Sequence, residues 1–184
     1  MPKDYLSLPN NELRRKDRSK DDDWIKNFLR HAPVGVMATS YDGQPFLNTR
    51  LFVYDETANA IYMHGAKNGR TLANLMENDR VCFSVTEMGR LLPADEAVES
   101  GVEFGGVVLF GRVSLVEAEP EASHALQLLM DKYFPHLKPE KDYRPTSAGD
   151  LKITAVLRID IESWSGKEKR VADDFPGAFY YGEA

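Results

Sequence analysis

The sequence predicts a mainly β fold with flanking helices, built as a six-stranded antiparallel β-barrel. Three observations carry that prediction. Short runs alternate apolar and polar residues, the period of a half-buried strand. Tight turns such as Asp42-Gly43 join consecutive runs, which implies antiparallel pairing. The chain has 184 residues, enough for one domain, and about six twisted strands in one small domain leave fewest exposed edges as a barrel.

The elements follow in order. Glu12 to Asp23 mixes cations (Arg14, Arg15, Lys16, Arg18, Lys20) with anions (Glu12, Asp17, Asp21, Asp22, Asp23). Such a run reads as a solvated arm, so residues 1–20 are set apart from the domain at 21–168. The Asp cluster caps a helix whose stripe is Trp24, Ile25, Phe28 and Leu29, and Pro33 stops it. Val34 to Tyr41 is a strand, and Asp42-Gly43 a hairpin turn. Phe46 to Tyr54 alternates, with Leu47, Thr49, Leu51 and Val53 on one face and Asn48, Arg50, Phe52 and Tyr54 on the other. Asp55 to Asn59 turns the chain into a third strand, Ala60 to His64. Arg70 to Met76 is a helix, and Arg80 to Thr86 a fourth strand. Glu87 to Glu103 is acidic and reads as an excursion or irregular helix. Gly105 to Val116 is a long strand whose glycines suggest a bulge or sharp coiling. Glu119-Pro120 opens a helix to Phe134. A Pro-containing loop, His136 to Asp150, precedes the last strand, Ala155 to Trp164. Residues 169–184 form a C-terminal tail.

Composition narrows the partners. The 23 Lys and Arg stand against 29 Asp and Glu, a net charge of −6. This argues against a large nucleic-acid footprint and leaves room for a small anion held locally. No apolar run approaches the roughly 18 residues of a membrane-spanning helix. The one cysteine, Cys82, forms no internal disulfide and reads as a buried thiol in a strand. Without a recognisable signal peptide, the cytoplasm is the expected location.

The most informative stretch is Met63-His64-Gly65-Ala66-Lys67-Asn68-Gly69-Arg70-Thr71. A strand enters a loop with two glycines and then a helix N-terminus, where backbone N–H groups attract anions. Lys67 and Arg70 add charge, and Thr71 a hydroxyl. Arg50 lies mid-strand, where a partly buried cation needs an anionic partner, either an acid of this chain or a bound phosphate. His64 is the histidine beside this loop and the candidate catalytic residue. No Walker A run, Gly-x-Gly-x-x-Gly fingerprint, nucleophile elbow or metal-ligand spacing is present. Trp164 and Lys167, near the end of the last strand, offer an aromatic plane and a cation together.

These segments resemble the pyridoxamine 5′-phosphate oxidase-like flavoproteins, in particular the branch of 5-nitroimidazole-resistance (Nim-type) reductases. The resemblance runs through Val34 to Ser40, Asp42-Gly43-Gln44-Pro45, Tyr62-Met63-His64-Gly65-Ala66, Gly69-Arg70 and Asn78-Asp79-Arg80-Val81-Cys82-Phe83. It closes on Arg158-Ile159-Asp160-Ile161-Glu162 with Ser165-Gly166-Lys167, and covers roughly residues 22–168. It implies an FMN-binding split β-barrel, a homodimer with the cofactor at the subunit interface, and a small-molecule substrate. It further implies that Gly65, Lys67, Gly69, Arg70 and Thr71 hold the FMN phosphate. Asn48, Thr49, Arg50 and Leu51 would run beside the flavin, with Met63 and His64 near its ring. Trp164 and Lys167 would approach from the second subunit. The substrate-phosphate Arg and His positions of the vitamin-oxidase branch have no counterpart here, which points away from pyridoxamine phosphate as substrate.

An FMN-dependent oxidoreductase, with the flavin carrying the hydride or electron chemistry, is the leading expectation. A non-catalytic FMN or haem module is the alternative. A partner-binding domain with a coincidental anion loop is the third.

Overall fold

A computed structural model describes residues 4–183; the remaining residues of the N-terminal arm and C-terminal tail lie outside the described residues. Strand β1 (Ser19–Lys20) precedes helix α1 (Asp22–His31). Strands β2 (Gly35–Tyr41), β3 (Gln44–Arg50), β4 (Val53–Asp55) and β5 (Ala60–Ala66) follow, then helix α2 (Arg70–Glu77). Strands β6 (Arg80–Leu92) and β7 (Gly101–Leu115), helices α3 (Glu119–Tyr133) and α4 (Ala148–Leu151), and strand β8 (Thr154–Lys169) complete the order. All strands join one antiparallel sheet in the order β3-β2-β6-β7-β8-β5-β4, with β1 on β8. Its two end strands, β3 and β4, are successive in the chain and linked only by Leu51-Phe52, so the sheet curls round without pairing its ends. This is the split barrel, with eight strands instead of six.

The added strands have physical reasons. The expected single strand Phe46 to Tyr54 breaks at Leu51-Phe52. There the Tyr133 hydroxyl accepts from the Phe52 N–H (3.0 Å) and donates to the Pro33 carbonyl (2.8 Å). A side chain thus replaces the ladder partner of a fully buried residue. The acidic stretch Glu87 to Glu103 is mostly strand: β6 runs to Leu92 and β7 starts at Gly101, which leaves residues 93–100 as the irregular excursion. Two of its acids are paired in place, Glu87 with Arg170 and Glu103 with Arg90. Glu103, 4% exposed, takes a bidentate pair from Arg90 (3.0 and 2.9 Å) and the Val171 N–H at 2.9 Å. Arg90 also donates to the Asp173 carbonyl (2.9 Å), so this pair ties down the C-terminal tail.

Asp21 caps α1 through the Trp24 N–H at 2.9 Å, and Ile25 and Leu29 bury its apolar stripe. The barrel interior holds Met37, Phe52, Ile61, Met63, Phe83, Val85, Leu109, Leu157 and Ile159. A second cluster packs α3 on the outside, where Ala122, Ala125 and Leu129 meet Tyr62 and Val156. Tyr62 donates to Glu121 at 2.7 Å, and Arg158 pairs with the same carboxylate at 2.8 Å. Burial and that carboxylate push the Tyr62 phenol up to about 12.

Alternate residues of β2, β6 and β7 point to the other sheet face. Ala38, Cys82 and Phe110 form one cross-strand row and Val36, Ser84 and Val108 the next, all partly exposed. Cys82 is therefore half-buried on an outer face, not a core thiol. No helix among the described residues is long and apolar enough to cross a membrane.

Candidate anion and cofactor site

The strand-loop-helix stretch folds as its residues dictate. Gly65 pairs with Ala155 and Ala66 with Thr154, which ends β5 beside the start of β8. Gly69 precedes α2 at φ 118°, in the region that favours glycine, and no side chain caps that helix. Its first N–H groups therefore remain available to a ligand. Asn48 donates to the Thr71 hydroxyl (3.3 Å) and Asn74 to the Thr39 hydroxyl (3.0 Å), which fixes α2 over the end of the barrel.

A pocket of about 190 Å³ opens at this point, lined among others by Asn48, Arg50, Gly65, Gly69, Arg70 and Thr71. Six of the expected residues thus converge on one cavity. Arg50 is its most informative member. Its Nη1 donates to the His64 carbonyl at 3.0 Å, while its buried Nε has no partner. No carboxylate pairs with it among the described residues. Burial lowers its pKa, the expected direction for a cation short of a counter-charge. Gly65 makes room for this guanidinium, because a Cβ there would lie 2.7 Å from Nη1.

The other expected residues are distributed around the pocket. Lys67 lines a larger adjoining cleft. Leu51 and His64 line an apolar pocket on the α3 side with Leu126, Met130, Tyr133 and Phe134. Burial and the nearby Arg50 both lower the His64 pKa, which favours the neutral imidazole. Thr49 is exposed on the β3 face opposite Asn48 and Arg50. Met63 is wholly buried in the core, so its side chain packs rather than binds.

Trp164 and Lys167 stand apart. Thr154 pairs with Ala66, and ten residues of strand put Trp164 roughly 30 Å further along β8. In its own chain Trp164 packs edge-on against Tyr54 and donates to Asp22 at 2.8 Å, while Lys167 lies 5.4 Å from the centroid of the Phe104 ring.

Ala66 and Asn68, inside the loop that the sequence singles out, also line the pocket, as do Phe46, Leu72, Ala155 and Leu157, which the sequence does not mark as site residues. Phe46 was detectable, since it shares the alternation of Asn48 and Arg50. Ala155 and Leu157 arrive only through the β5–β8 register, which no local pattern encodes.

Comparison with known proteins agrees with this fold. The family model described as pyridoxamine 5′-phosphate oxidase matches residues 21–168. The chain belongs to that family. No curated protein matches it significantly. Among solved structures it is similar to the flavocytochrome Anf3 of Azotobacter vinelandii, at 24% identity and a TM-score of 0.76, over 89% of this chain and 76% of that one. An FAD- and haem-binding protein of Mycobacterium smegmatis aligns at 22% identity and TM-score 0.74, over 84% and 74%. A protein of Bacteroides thetaiotaomicron assigned to 5-nitroimidazole antibiotic resistance aligns at 19% and 0.67, over 81% and 84%.

Proposed function

We propose that this chain is a flavoprotein that binds the FMN group, works as a homodimer and acts as an oxidoreductase on a small molecule. The observation that carries the reading is Arg50: a buried guanidinium nitrogen without a partner, in a pocket beside an uncapped helix N-terminus. A phosphate supplies what that pocket lacks, a compact anion with several acceptor oxygens. The family and the flavin-binding proteins of the same fold support the same ligand.

In this reading the α2 N–H groups and Arg70 hold the phosphate, and Arg50 completes the clamp from the barrel side. Gly65 and Gly69 let the backbone come close. The strand bearing Asn48 and Leu51 borders the rest of the flavin. His64 in its neutral form offers a donor or acceptor nitrogen to a substrate in the apolar pocket formed with α3. The flavin supplies the two-electron chemistry when bound. The partly exposed rows Ala38-Cys82-Phe110 and Val36-Ser84-Val108 form the dimer face, and Trp164 and Lys167 reach the site from the partner subunit.

The deciding experiment is the visible spectrum of the purified protein, before and after added flavin. Flavin absorbance that falls on anaerobic addition of a nicotinamide donor is expected. A protein with no flavin and no uptake refutes the reading. Flavin that binds but accepts electrons from no donor leaves a binding module and refutes the oxidoreductase part.

A further inference from the structure

We propose that Lys132 is a site of covalent acylation, taking a short acyl group from an acyl phosphate. Flavin plays no part in it. Lys132 stands on the last turn of α3, against α1 and the break between β3 and β4. Its Nζ lies 3.8 Å from the centroid of the Phe52 ring and 5.4 Å from that of Tyr133. Among the described residues its one hydrogen bond goes to the Leu29 carbonyl at 3.4 Å, and it enters no ion pair. Acids on the flanking elements are engaged elsewhere. Asp131 accepts from Gln127 at 2.7 Å, and Glu56 pairs with Lys26 and Arg30 of α1.

An ammonium in this place loses part of its water and gains no counter-charge, and a ring face returns only part of that cost. Burial alone lowers the group to about 8, so at pH 7.5 roughly a quarter of it is neutral amine, against about a thousandth of an ordinary lysine. The neutral amine is the nucleophile, and desolvation is one way a protein activates a lysine. Lys132 stays partly exposed, so a small reagent reaches it. The Nζ lone pair forms a C–N bond to the acyl carbon. The C–O bond to phosphate breaks, inorganic phosphate leaves with the electron pair, and a proton from the nitrogen passes to water. No oxidant or reductant is needed. The amide product carries no charge and keeps one N–H for the Leu29 carbonyl. Acylation thus removes a desolvated charge and retains its hydrogen bond, which makes the modified chain the more stable one.

The test treats the folded, full-length protein with limiting acetyl phosphate at pH 7.5 and follows each lysine by peptide mass spectrometry. Lys132 is expected to be acetylated at least tenfold faster than Lys26, whose charge Glu56 holds at 3.2 Å. It should also react at least fivefold faster than the exposed Lys152. In concentrated urea the preference should vanish, because the fold creates it. The treated protein should melt higher than the untreated one, and Lys132→Met should show no such rise. Lys132 labelled no faster than Lys26 or Lys152, or a preference that survives urea, overturns the assignment of the site. A melting temperature that fails to rise, or rises equally in Lys132→Met, overturns its stabilising effect.

Discussion

Gly65 and Arg50 show how closely one residue depends on another. A methyl at position 65 would lie 2.7 Å from the Arg50 Nη1 and push the guanidinium aside. Gly65→Ala should keep the fold and weaken phosphate and FMN binding roughly tenfold, a loss of about 1.4 kcal/mol, read by titration. Unchanged affinity would remove Arg50 from the clamp. Lys132 makes a separate point. Its Nζ lies 3.8 Å from the centroid of the Phe52 ring, and among the described residues its only polar partner is the Leu29 carbonyl at 3.4 Å. Burial lowers this ammonium from 10.5 to about 8. The unfolded chain holds the proton to higher pH, so stability should rise between about pH 8 and 10.5. Lys132→Met should raise the melting temperature at pH 7 and abolish that rise. At this scale the sequence was readable where chemistry forced it. A mid-strand Arg50 demanded an anion, and the structure finds it without one. The burial of Lys132 was not readable, because a lysine on a helix ordinarily faces water.

The elements were legible where turn and cap residues mark them. Asp42 and Gly43 both adopt positive φ, 49° and 72°, as a two-residue hairpin requires, and α1 begins behind its Asp cap. The β6–β7 hairpin was not legible, because its acids mask the strand pattern. Only the folded register brings Arg90 to Glu103 and Arg170 to Glu87. The Arg90 guanidinium and the Val171 N–H hold the Glu103 carboxyl at about 2, well below its ordinary 4.5. The stability this lends is present above about pH 4.5 and is lost as pH falls toward about 2. Arg90→Met should lower the melting temperature at pH 7 more than Arg112→Met, whose partners Asp79 and Glu162 are half exposed. The bulge that the glycines of β7 suggested lies instead on the partner strand β8, opposite Gly111. Phe110 pairs with Ser163 and Gly111 with Ile161, so Glu162 is the extra residue. A Cβ on Gly111 would lie 2.1 Å from the Asp160 carbonyl oxygen. Gly111→Ala should therefore destabilise by about 3 kcal/mol in denaturant unfolding.

For the whole molecule, the assembly expectation is direct. One chain is 20.8 kDa, and light scattering should return about twice that mass. Phe110→Arg, on the outer sheet face, should halve it and reduce flavin affinity together if the site is shared between subunits. A monomeric wild type would refute the shared site. The overall architecture was legible because every hairpin is local, while the closing order of the sheet was not. β8 pairs with both β7 and β5, and it comes late in the chain. Until residues 154–169 are in place, β4 and β5 have no strand linking them to β7, and the mouth that holds the anion pocket has no β8 wall. Productive folding therefore passes through a half-sheet with open edges, whose lifetime is set by one long-range docking event. Slow refolding is the expected outcome of this strand order, and core substitutions in β8 should be felt in yield before they are felt in activity.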